Sequence, residues 1–150
     1  MMTRLQLLFP ALISFMLLAA AGSSFAQNID CRSCHVPGSK SGAADFSKVY
    51  ANVASHHPVD INYPLGLGAE QYFNQPDMQH DDVTFFDKND NGQPDSDEIQ
   101  LFSMNGAAQI TCSTCHRNHG ASRLPANAPR DAYLRVTIVG SKLCSTCHSQ

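Results

Sequence analysis

All six cysteines of the chain fall in three C-x-x-C-H runs: Cys31, Cys34 and His35; Cys112, Cys115 and His116; Cys144, Cys147 and His148. Two thiols at that spacing can add to the two vinyl groups of one haem, and the adjacent histidine is then placed to bind its iron, which is the pattern of c-type attachment. A single C-x-x-C pair would also suit zinc, a disulfide or a thiol redox site. Three pairs, however, do not divide evenly into four-cysteine zinc sites, and neither zinc nor a disulfide framework asks for a histidine after every second cysteine. Three covalent haem c groups are therefore expected.

The chain has seven histidines. Three follow the cysteine pairs, which leaves His56, His57, His80 and His119 for three distal positions, one more than needed. Any one of them alone would read as a surface or core histidine; together they predict bis-histidine ligation of all three irons, with His57, His80 and His119 leading and His56 as the alternative. Met78 and Met104 are the thioethers that would otherwise serve. Six nitrogen ligands give low potentials and leave no open iron for a substrate, so the chain is not expected to be an enzyme.

A second constellation lies at residues 87–98, D-K-N-D-N-G-Q-P-D-S-D-E, which fits the twelve-residue calcium loop position by position. Asp87, Asn89, Asn91, Asp95 and Glu98 supply side-chain oxygens, Gln93 its backbone carbonyl, and Gly92 the sharp turn. Pro94, without a backbone donor, occupies the position that links paired loops, and no helical stripe precedes Asp87, so the loop is expected to be solitary. One bound Ca2+ is the expectation, at an affinity of about 10⁻⁴ to 10⁻³ M; an Asx-rich turn is the alternative.

The elements that must position these residues are short. Residues 44–54 carry Phe46, Val49, Tyr50 and Val53 at helical spacing. Residues 99–102 and 109–111 predict two strands around a turn at Met104, Asn105 and Gly106, the second delivering Cys112 from its end, and residues 134–139 are β-branched enough for a third. Residues 124–129 are a proline-containing loop. The fold class expected is mostly irregular, with short helices and a few short strands around a haem core.

Residues 1–26 read as a cleaved signal peptide: Arg4, an apolar run over 7–21, and small residues at Ser24 and Ala26. An uncleaved anchor is the alternative, but the run is short of the ~20 residues a span needs. Residues 27–150 then form one exported domain without a membrane span, too small to bury much core without its cofactors. With a net charge of −3 before haem propionates are added, nucleic acid is not an expected partner. Acidic residues crowd residues 77–98 and basic ones residues 117–142, which suits either two solvated faces or a head-to-tail self-contact.

Residues 110–148 resemble the doubled C-x-x-C-H segment of multihaem c-type cytochromes, and Ser55, His56, His57, Pro58 and Val59 resemble the S-H-P-V element that provides a distal histidine in such proteins. The resemblance covers about half of residues 27–150. It implies His57 as the ligand of its pair and a role for His119 on a haem other than that of His116. The chain departs from it at Asn118, where the element often has proline, and at the extra His56. The expected function is electron transfer to a redox protein or an extracellular acceptor. The resemblance extends to subunits of extracellular cytochrome filaments, because the first and third motifs lie near the two ends of residues 27–150. A monomeric periplasmic shuttle is the alternative, and a multihaem reductase acting on a small nitrogen or sulfur oxyanion is the rival from another class.

Overall fold

The computed structural model describes residues 28–40, 42–119 and 131–149. The expected signal segment and the loop at 124–129 lie outside them. Among the described residues, five strands form one antiparallel sheet: β1 (Ile61–Asn62), β2 (Met78–His80), β3 (Val83–Phe85), β4 (Gln100–Met104) and β5 (Ala107–Ile110), in the order β1-β5-β4-β3-β2. The sheet is more regular than the two or three strands expected from sequence.

Two tight turns set its register. Met104 pairs with Ala107, so Asn105 and Gly106 alone make the β4–β5 turn, with φ of 54° and 79°. Paired positive φ values are those of the hairpin turn that matches strand twist, and asparagine followed by glycine tolerates them best. His80 pairs with Val83 across Asp81 and Asp82, with Asp81 at φ 50°. The longer β3–β4 connection is the loop at residues 87–98, so this loop joins two strands of a hairpin rather than two helices.

β4 is the centre of the core. Gln100, Leu101 and Phe102 are all buried, because both faces of this strand are covered. On one face Leu101 meets Tyr63 and Ile110, with Phe73, Phe86 and Cys147 packed against them; on the other Phe102 meets Val83 and Phe85. Only seven hydrophobic side chains are buried among the described residues, while Val53, Leu65, Leu67, Tyr72, Ile138 and Val139 are more than half exposed. That is a small core for a chain of this length.

The helices are short. α1 (Ser47–Ala51) is half the length predicted, because Asn52 turns its side chain onto the Ala54 amide and starts a separate 3-10 turn at Val53–Ser55. α2 (Cys112–Cys115) begins two residues after β5 ends, and α3 (Lys142–Cys147) closes the described chain. The strand expected at 134–139 does not form. Leu134 makes one isolated bridge with His116, and the Arg135 amide turns to the Cys115 carbonyl at 2.8 Å. Branched side chains favour a strand only where a sheet edge is offered, and α2 rather than a strand lies alongside. No helix among the described residues is long and apolar enough to cross a membrane.

Candidate haem and calcium sites

The three C-x-x-C-H runs fold alike. Cys31–Ser33 is a 3-10 turn, and the other two runs lie in α2 and α3. In each, the histidine N–H donates to the carbonyl of the first cysteine, His35 to Cys31 at 2.9 Å, His116 to Cys112 at 3.0 Å and His148 to Cys144 at 2.9 Å. This one bond closes a helical turn, which puts side chains three and four residues apart on the same face. In α2 the turn is clamped by a reciprocal cap between Thr111 and Thr114. All six thiols are free.

Histidines from remote segments face one another. The ring centroids of His35 and His119 are 5.9 Å apart with an interplanar angle of 75°, and those of His57 and His148 are 6.2 Å apart at 63°. A metal–imidazole bond is about 2 Å and the ring centre lies about 1 Å behind the nitrogen, so two imidazoles trans on one metal have centroids about 6 Å apart. The imidazole donors and their spacing are those that two histidines sharing a haem iron would need, and the spacing is equally that of an edge-to-face ring contact.

The rings are also oriented. Nδ1 of His35 lies 2.8 Å from the Ala44 carbonyl, Nδ1 of His56 2.7 Å from the His57 carbonyl and Nδ1 of His57 3.0 Å from the Pro58 carbonyl. A carbonyl only accepts, so Nδ1 carries the proton in each case and Nε2 keeps its lone pair for a metal. Phe46 stacks on His35 at 4.5 Å, Phe73 leans on His148 at 5.1 Å and Tyr133 on His119 at 4.9 Å. His116 is held towards its neutral form by burial and then by His119. Among the described residues no histidine ring stands opposite it as in the other two pairs, and His56 and His80 are the histidines left. His56 lies within electrostatic reach of Cys112, whereas His80 sits on β2 with Nδ1 3.3 Å from Asp81. The methionines are engaged elsewhere: the Met104 sulfur accepts from Asn28, and the Met78 methyl lies against Gly92.

The motifs are packed on one another. Thr111 donates to Asn28 at 3.2 Å and Ser113 to the Ile29 carbonyl at 3.4 Å, pinning the first motif to the second. There the Cys31 and Cys112 thiols hydrogen-bond, which lowers Cys112 and raises Cys31. Cys115 is pushed up to about 11 and Cys147 to about 12, in both cases chiefly by burial, and each feels the other motif's thiols. Tyr63 donates to the Asn74 and Cys147 carbonyls, at 2.6 and 3.0 Å, which ties the third motif to the sheet.

The loop at residues 87–98 is wound inward. Asp87 accepts from the amides of Asn91 and Gly92, at 3.2 and 2.7 Å, and Glu98 accepts from those of Lys88 and Asp95, at 2.9 and 3.0 Å. Gly92 has φ 70° and Asp90 φ 58°. Glu98 is 2 % exposed, and its carboxyl is raised by burial and by Asp87 and Asp95. Gln100 donates to the Asp95 carbonyl, and its own buried oxygen has no hydrogen bond. Oxygen donors, buried carboxylates and the winding of the loop fit a hard cation. No three His, Cys, Asp or Glu side chains among the described residues converge as a metal-holding group, so Asp87, Asp95 and Glu98 are not drawn onto one point.

Sequence reading missed two residues. Arg135, 4 % exposed, joins this loop to α2, and Tyr63 joins the sheet to α3. An arginine inside a β-branched run was the available signal for the first. The chain matches no protein-family model, no curated protein and no solved structure.

Proposed function

We propose that the chain is an electron-transfer protein carrying three haem c groups, bound at Cys31, Cys34 and His35, at Cys112, Cys115 and His116, and at Cys144, Cys147 and His148. The observation that carries this reading is the facing of His35 with His119 and of His57 with His148 at centroid spacings of 5.9 and 6.2 Å. Nothing in a zinc or disulfide reading asks two such pairs, 84 and 91 residues apart, to meet in this way. Each haem iron supplies one reversible oxidation step. The protein's part is to hold two imidazoles on each iron, fix their tautomers through backbone carbonyls and keep the three motifs in contact. The partner of His116 is His80 or, as the alternative, His56, which lies within electrostatic reach of Cys112.

Residues 87–98 bind calcium in this reading, and copies of the chain join head to tail to build a filament, with Asp87, Asp97 and Glu98 and Arg117, Arg135 and Lys142 taken up by a cavity within one chain. Self-association is supported by the exposed apolar side chains Val53, Leu65, Leu67 and Tyr72. The protein acts outside the cytoplasm, where its thiols meet haem during export, and a monomeric shuttle is the reading if assembly fails.

The test is the covalent haem content of the exported protein, by peptide mass spectrometry and alkaline pyridine spectrum. Three haems per chain, all low-spin and indifferent to carbon monoxide when reduced, are expected. Haem extractable into acid ketone would end the reading, and carbon monoxide binding would favour the reductase.

A further inference from the structure

Arg135 is a cation placed where no carboxylate reaches it. It is 4 % exposed, and among the described residues it makes no ion pair. Among the described residues its side chain donates only to backbone: Nε to the Ser113 carbonyl at 2.8 Å, and Nη1 to the Ser96 and Asp95 carbonyls at 3.3 and 3.5 Å. Its own amide donates to the Cys115 carbonyl at 2.8 Å. Backbone and side chain of one residue therefore grip the turn between the two cysteines of the second motif. Burial pulls the guanidinium down to about 10, still far above physiological pH, so the charge is kept. Removing a cation from water without a counter-ion is costly, and three carbonyl dipoles do not cancel a full charge.

We propose that Arg135 is the positioning residue of the second motif and that its buried charge raises the reduction potential of the haem bound at Cys112, Cys115 and His116. The inference rests on haem attachment at that motif. Reduction adds one electron from the donor, takes ferric iron to ferrous and lowers the local charge by one. A fixed positive charge beside the motif disfavours the more positive ferric state. Asp87, Asp97 and Glu98 lie across a cavity of about 580 Å³ that Arg135 also lines, together with Arg117 and Lys142. These acids oppose the effect, but Arg135 is the charge hydrogen-bonded to the motif.

The test uses the haem-loaded mature chain in a spectroelectrochemical titration. Arg135→Gln should shift one of three components to lower potential and leave the others in place, and Arg135→Lys should restore most of the shift because it keeps the charge. A purely structural strut predicts that the lysine and glutamine variants behave alike, and that outcome overturns the proposal. Should Arg135→Gln fail to fold, Val136→Glu brings a carboxylate into the same cavity and keeps the arginine. It should lower the same component, and unmoved potentials in that variant overturn the proposal. A wild-type protein without haem on Cys112 and Cys115 overturns the electron-transfer reading and this inference with it. Three attached haems with unmoved potentials overturn the inference alone.

Discussion

His57 and His119 come from segments with no regular structure of their own, yet each ring meets a motif histidine far away in sequence. If they are axial ligands, exchanging the imidazole for a thioether should favour ferrous iron. His57→Met and His119→Met are each expected to raise one potential, a different one in each variant, with the haem count unchanged. Redox titration of the two variants checks this, and a shift of the same component in both would refute the pairing. The third pair is decided in the same way: His80→Ala should turn one haem high-spin, whereas His56→Ala should leave the low-spin spectrum intact. The reverse pattern would assign His56. The C-x-x-C-H runs can be named from sequence because their spacing is local. The ring contacts of His35 with His119 and of His57 with His148 could not be, since spacing along the chain does not say which loops a fold returns to one another.

The loop at residues 87–98 shows what an element adds. Its oxygen-bearing positions were readable from the motif, but its setting between β3 and β4 was not, because Val83–Phe85 is too short to show a period. Similarly, residues 134–139 looked like a strand by propensity and became a brace for α2, a choice made by which neighbour was at hand. In the loop, Glu98 has its carboxyl raised by burial and by neighbouring acids. Without calcium the folded protein then holds this proton more tightly than the unfolded chain, so stability is highest below the ordinary carboxylate range and falls as pH rises through the raised value. Calcium requires the ionised carboxylate and reverses the trend. Thermal melts in calcium-free buffer should therefore show a loss from pH 4 to pH 7 that calcium recovers, by about 1.4 kcal/mol at ten times its Kd. Glu98→Gln should abolish both the pH dependence and the recovery. A melt insensitive to calcium at pH 7 would leave an Asx-rich turn. In the sheet, Leu101 is fully buried at the centre of the larger cluster. Leu101→Ala should cost about 3 kcal/mol in denaturant unfolding, a large loss where seven hydrophobic side chains are buried among the described residues.

At the scale of the molecule, the second motif is the hub. Its Cys112 touches Cys31 of the first motif, and its Cys115 lies within electrostatic reach of Cys144 and Cys147 of the third. With haems bound at the three motifs as proposed, an electron path would run in the order of the sequence. Whether the path continues between molecules depends on surfaces the fold leaves bare. Leu67 is fully exposed between Gly66 and Gly68, which have φ of 88° and 91°, and Tyr72 and Leu65 are more than half exposed nearby in sequence. Apolar groups exposed in this way mark contact surfaces, and the charges of residues 77–98 and 117–142 left over from the cavity that Asp87, Asp97 and Glu98 share with Arg117, Arg135 and Lys142 give the contact a direction. A contact between two different faces of the same chain repeats without closing, which makes a fibre rather than a dimer. The exported, calcium-loaded protein is therefore expected to form filaments visible by electron microscopy. They should shorten as salt rises from 0.05 to 0.5 M, over which the screening length falls from about 14 to 4 Å. Leu67→Asp should release haem-loaded monomers with unchanged spectra, because this side chain packs on nothing in its own fold. A wild-type protein that stays monodisperse at the mass of one chain with three haems, at low salt and with calcium, would make it a shuttle.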